Sequence, residues 1–166
     1  KAVYENIKSG NFGEGSKEPD DYFQALAWHP YTNSFNADAF VQANQALYDI
    51  AYSYEGKHKK VYFTELGNWD STQSEAKAVE CIKNVYKATA ERLPFVESIH
   101  YYRAFDNIAD NNCQGGIFRD PNPDRQDVNK STGKRENPGS PKKTAYAYQE
   151  MAGGSGSLDV LTTVLK

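Results

Sequence analysis

Three short apolar runs, set about 35 residues apart, constrain this chain more than any other feature. Residues 22–29 (YFQALAWH), 61–66 (VYFTEL) and 96–102 (VESIHYY) are each dense in aromatic and β-branched side chains. Each is too short for a typical helix and reads as a strand buried in a sheet. Longer amphipathic segments separate them. Asn36 can cap the first, where Phe40, Ala43, Leu47, Ile50 and Ala51 recur at helical spacing until Gly56. The second opens with a capping box, Thr72 and Glu75. It carries Val79, Ile82, Tyr86 and Leu93 on one face and closes at Pro94. Helical crossovers between consecutive strands demand a parallel sheet, because parallel neighbours cannot be joined by a tight turn. The fold class is therefore α/β.

The remaining segments frame this rhythm. Residues 1–21 are polar and rich in Gly, Lys and Glu, and read as a loop. Residues 22–152 hold the βα pattern. A polar stretch over about 106–141 interrupts it, and a last short helix spans 142–151, with Ala145, Tyr148 and Met151 on one side. Residues 153–157 (GGSGS) have linker composition and lead into a short apolar tail, 158–166. The chain starts at Lys1 without a signal-peptide pattern, and the expectation is of a piece of a longer protein. The composition does not assign a compartment.

In parallel βα folds the reactive groups gather where the strands end. Here the first run ends in Trp28-His29-Pro30-Tyr31 and the second in Thr64-Glu65-Leu66-Gly67-Asn68-Trp69. The third ends in Tyr101-Tyr102-Arg103-Ala104-Phe105-Asp106. Glu65 is the most informative of these residues. A carboxylate in an apolar strand is costly to bury unless it is paired or functional. Period-2 alternation places it on the face of Val61 and Phe63. One reading pairs it structurally with Arg103 at the neighbouring strand end. In the other it is a catalytic carboxylate, with His29 and the Tyr31 hydroxyl orienting it and keeping it ionised. Asn68, Trp69, Tyr102 and Phe105, just past the strand ends, are candidates for contacts to a sugar. Trp28, of opposite parity to His29, is expected to pack under a helix.

These strand ends resemble clan A of the glycoside hydrolases, the retaining (β/α)8 enzymes, with the flavour of families 39 and 5. Thr64-Glu65-Leu66-Gly67 matches the segment that carries the clan's nucleophile at the end of strand seven. His29-Pro30-Tyr31 is similar to the His-and-Tyr pair at the end of strand six. Tyr102 stands where strand eight brings an aromatic platform, more often Trp, under the sugar. Gly116-Ile117-Phe118 followed by residues 141–146 (PKKTAY) is similar to the clan's lead into its last helix, with Lys143-Thr144 in place of a proline. The resemblance covers residues 22–152. It implies strands six to eight of a partial TIM (β/α)8 barrel, with Glu65 as nucleophile. His29, Tyr31, Asn68, Trp69, Tyr102 and Phe105 would contact an oligosaccharide or polysaccharide, and no cofactor is implied. The clan's acid/base glutamate follows an Asn, and this chain has no Asn-Glu dipeptide. At 166 residues it is also shorter than the roughly 250 of a full barrel. The isolated chain is thus expected to be inactive. The alternative is a non-catalytic half-barrel that binds itself or a missing half through its open sheet edges.

Other chemistries find little support. A net charge of −3 and a pI near 5.6 argue against nucleic acid and anionic membrane as partners. Apolar runs this short do not make a transmembrane helix. Two cysteines, Cys81 and Cys113, cannot build a zinc site alone, and Cys81 reads as a core thiol. Residues 120–131 begin like a calcium loop but have Arg125 and Ser131 where Gly and Glu are needed, so no metal is expected.

Overall fold

The computed structural model describes residues 1–13, 15–32, 36–67, 74–106, 115–119 and 139–158. The elements along the chain are α1 (Ala2–Ser9), a 3-10 turn (Pro19–Asp21), β1 (Ala25–Trp28), α2 (Ala37–Glu55), β2 (Lys60–Leu66), α3 (Glu75–Arg92), β3 (Val96–Tyr101) and α4 (Lys143–Met151). The three strands form one parallel sheet in the order β1-β2-β3, as the crossover pattern requires. The protein is thus mixed α/β.

The boundaries have local causes. The Asn36 side chain accepts from the Ala39 N–H, and Gly56 ends α2 at φ 66°, a conformation that costs glycine little. The start of α3 differs from the capping box expected at Thr72. Ser74 is the cap, accepting from the Lys77 N–H, and Thr72 lies outside the described residues. Glu75 instead accepts from the Lys143 N–H at 2.7 Å, which ties the start of α3 to the start of α4.

The hydrophobic core lies between the sheet and its helices. Val61, Phe63 and Leu66 on β2 meet Phe40, Val41 and Tyr48 of α2, Ile82, Val85 and Tyr86 of α3, and Ala147 of α4. Burying a side chain such as Phe63 contributes about 1.5–3 kcal/mol. The buried face of α2 is rotated from the one expected. Leu47 and Ile50 are exposed, while Asn44 and Tyr48 are buried. The cause is Trp28, whose indole N–H donates to Asn44 Oδ1 at 2.8 Å, while Asn44 Nδ2 donates to the Phe40 carbonyl. A polar residue is thereby satisfied against the sheet, and Trp28 packs under α2.

The first segment is a correction. Residues 1–21 are not simply a loop, since α1 buries Tyr4 and Ile7. Tyr4 stacks on Tyr54 at 5.1 Å, meets Phe23 edge-on and donates to Glu55. Its partners lie about 20 and 50 residues away, so no local pattern reveals that face.

The helices α2, α3 and α4 contribute to one core on one face of the sheet. On the other face Ala27, Thr64 and His100 are exposed. Parallel sheets are ordinarily covered on both faces.

Candidate functional site

Between Phe63 and Leu66 the pairing of β2 with β3 slips. Phe63 pairs with Ile99 and Leu66 with Tyr101, three steps on one strand against two on the other. This bulge overturns the expected parity of Glu65. Leu66, not Glu65, joins Val61 and Phe63 in the core. The Glu65 side chain keeps 32% exposure, at the end of the strand.

Two neighbours from the end of β1 meet Glu65 on a single oxygen. The Tyr31 hydroxyl donates to Glu65 Oε2 at 2.6 Å, and His29 Nδ1 lies 3.3 Å from the same atom. Buried Pro30 fixes the backbone between them, and the two rings stand perpendicular with centroids 6.2 Å apart. Oε1 of Glu65 has no partner among the described residues. A carboxylate with one oxygen held by a phenol and the other open is equipped to act as a nucleophile or a base. The contact to Arg103 considered from sequence is not made. The Arg103 guanidinium lies 5.7 Å from the Tyr102 ring centroid.

Close backbone contact fixes the adjoining end of β3. The Tyr102 N–H donates to the Leu66 carbonyl at 2.9 Å, and a Cβ on Gly67 would sit 1.8 Å from the Tyr102 carbonyl oxygen. Gly67 is therefore required by the packing of the two strand ends on each other. The Tyr102–Arg103 peptide is cis. Phe105 packs on Phe118 at 5.6 Å. Below them the Lys142 ammonium and the Gly116 N–H share Asp106 Oδ1, at 2.5 and 3.0 Å, which anchors the approach to α4.

The structure thus brings His29, Tyr31 and Glu65 together, with Tyr102 and Phe105 past the end of β3. Asn68 and Trp69 lie outside the described residues, as do Cys113 and residues 120–131. His100, on β3, is 3.1 Å from the Ser98 hydroxyl. Cys81 is buried, and burial together with Glu80 pushes its thiol pKa up, as expected of a core thiol. Among the described residues there is no cluster of three potential metal ligands, and no helix is long and apolar enough to cross a membrane.

Sequence reasoning missed a second charged centre at the opposite end of the sheet. Lys59 Nζ reaches Asp20 Oδ1, Glu55 Oε2 and the Phe23 carbonyl, each at 2.8 Å, and lies over the Phe23 ring. In sequence Lys59 is one of three lysines in a basic run, and nothing local distinguishes it. Comparison with protein-family models, curated proteins and solved structures gives no match to this chain.

Proposed function

We propose that this chain carries the nucleophile part of a retaining glycoside hydrolase site acting on an oligosaccharide or polysaccharide. The observation that supports this reading most is the paired contact of Tyr31 and His29 on Glu65 Oε2, which leaves Oε1 open at the C-terminal end of a parallel strand. In this reading the sheet is strands six to eight of a (β/α)8 barrel. Glu65 Oε1 attacks the anomeric carbon, the bond to the leaving oxygen breaks, and a glycosyl ester forms. A second carboxyl, absent from this chain, gives its proton to the leaving oxygen and then takes one from the water that cleaves the ester. The Tyr31 hydroxyl holds Glu65 Oε2 and so aligns the carboxylate. The aromatic residues past the strand ends stack on sugar rings, and no cofactor takes part.

A second reading is favoured by the exposed face of the sheet. It holds that the chain is a non-catalytic half-barrel, associating with itself or with another polypeptide. One experiment separates the two. Dinitrophenyl fluoroglycosides have a leaving group good enough to need no acid, so the chain can be tested as it stands. A panel of such reagents differing in the sugar is incubated with the protein, and the peptides are mapped by mass spectrometry. The catalytic reading expects one of them to label Glu65 alone. Labelling of Glu75, Glu80 or Glu97, or no covalent adduct with any sugar, overturns it.

A further inference from the structure

A cavity of about 500 Å³ opens at the end of the sheet where β2 and β3 begin, with Tyr48, His58, Lys60, Pro94, Phe95 and Glu97 in its walls. Its size is that of a small-ligand site, roughly 300–1,000 Å³. Lys60 starts β2, so the cavity lies about 16 Å along the strand from Glu65. The walls are held from behind. The buried Tyr48 ring lies parallel to Phe95 at 3.8 Å and so fixes the Phe95 ring in place. The Tyr48 oxygen accepts from the Lys59 N–H at 3.2 Å and lies 2.9 Å from His58 Nδ1. Nδ1 is therefore the acceptor for the Tyr48 proton, and the neutral imidazole carries its own proton on Nε2. The exposed His58 ring thus brings an N–H donor to the cavity. Lys60 and Glu97, both exposed, pair at 3.5 Å, which sets a donor beside an acceptor without net charge. The Lys59 ammonium points away, to Asp20 and Glu55.

We propose that this cavity binds a short stretch of a neutral oligosaccharide, as a second sugar site that takes no part in bond cleavage. The lining selects this class of ligand. A phosphate or carboxylate would meet Glu97 with no unpaired cation to offset it, and a cation would meet Lys60. A wholly apolar ligand would take water from His58, Lys60 and Glu97 and return no hydrogen bond. A neutral pyranose answers both parts of the wall. Its C–H face lies on the Phe95 ring and Pro94, and its hydroxyls accept from His58 and Lys60 and donate to Glu97. The Phe95 ring is already immobilised by Tyr48, so ordering it on binding costs little. Tyr52, exposed and with its ring 5.2 Å from that of His58, continues the aromatic surface past the cavity for a longer chain.

The proposal shares its ligand class with the catalytic reading but none of its residues, and the two fail separately. The test is an amide NMR titration of the full chain with cellohexaose, xylohexaose, mannohexaose and chitohexaose in turn. At least one is expected to shift the amides of His58, Lys60, Phe95 and Glu97 saturably, with Kd of about 1 mM or tighter. His58→Ala and Glu97→Ala, at exposed positions, each remove one polar contact and should weaken binding about two- to tenfold. Phe95→Leu keeps an apolar partner for Tyr48 but no flat ring, and should weaken it at least about fivefold. Glu65→Gln should leave this titration unchanged. Shifts confined to Tyr31, Glu65 and Tyr102 overturn the proposal and leave the catalytic reading standing. No saturable shift with any of the four sugars, or binding unaltered by His58→Ala and Glu97→Ala, also overturns it, and fluoroglycoside labelling then judges the catalytic reading by itself. Shifts at His58 and Phe95 with p-cresol but with none of the sugars overturn it in favour of an aromatic ligand.

Discussion

The two ends of the sheet hold carboxylates in opposite circumstances. At the end where the strands begin, Glu55 and Lys59 have side chains only 2% and 4% exposed, and the ammonium is shared with Asp20 and a backbone carbonyl. At the end where the strands finish, Glu65 is 32% exposed and its neighbour His29 is 49% exposed. Hydrogen bonds from Lys57 and Lys59 hold the Asp20 carboxyl down at about 2. Burial alone would depress the Lys59 pKa, but its bonds to Asp20 and Glu55 outweigh that and raise it. These ion pairs, with the hydrogen bond from Tyr4 to Glu55, tie α1, the 3-10 turn and α2 to β2. Glu65 keeps one oxygen open, and the difference lies in what surrounds each carboxylate.

The comparison is broken most severely at Lys59. Lys59→Met leaves the buried Glu55 carboxylate without its ammonium partner and is expected to cost about 3–5 kcal/mol in denaturant unfolding. Glu65→Gln in the same assay should change stability by less than about 0.5 kcal/mol. Equal losses at the two positions would show that both ends serve only the fold. Next in size is Gly67→Ala, which forces a methyl against the Tyr102 carbonyl. A loss of about 2–3 kcal/mol is expected, with the strand ends moved apart and fluoroglycoside labelling reduced.

Acid sharpens the contrast further. The folded Asp20 pKa, about 2, lies below the ordinary value of 3.8. Its contribution to stability is therefore complete above pH 3.8 and is lost as the pH falls through about 2. A pH titration of stability should bend in that window, and Asp20→Asn should flatten it. Smallest in its effect on the fold is Tyr31→Phe, expected within about 0.5 kcal/mol of wild type. Labelling of Glu65 should nevertheless slow by about tenfold or more, since a hydrogen bond to a charged group is worth about 1.5–3 kcal/mol. An unchanged rate would remove Tyr31 from the site.

The features legible in the sequence were those with local causes. Asn36 and Gly56 mark the ends of α2 because capping depends on the few residues around a helix end. The three strands and their parallel order follow from run length and spacing. The rest depends on distant partners. α1 escapes notice because Tyr4 finds Tyr54, Phe23 and Glu55. The buried face of α2 turns on the bond from Trp28 to Asn44. Alternation along β2 puts Glu65 on the face of Val61 and Phe63, whereas in the structure Leu66 takes that face. A bulge arises from the pairing of two strands, and alternation along one strand cannot foresee it. His29 and Tyr31 were legible because two residues flanking a proline at a strand end have few directions to take.

The bond from Trp28 to Asn44 also gives the molecule a built-in optical reporter. The chain has two tryptophans, and the second, Trp69, follows Glu65 by four residues in sequence. Trp28 lies against Phe63 at 5.6 Å with its indole N–H engaged, so its emission reports on the packing of α2 on the sheet. In a Trp69→Phe variant the remaining fluorescence comes from the core alone. Its signal then follows the seating of α2 on the sheet by itself, and with it the loss of the fold.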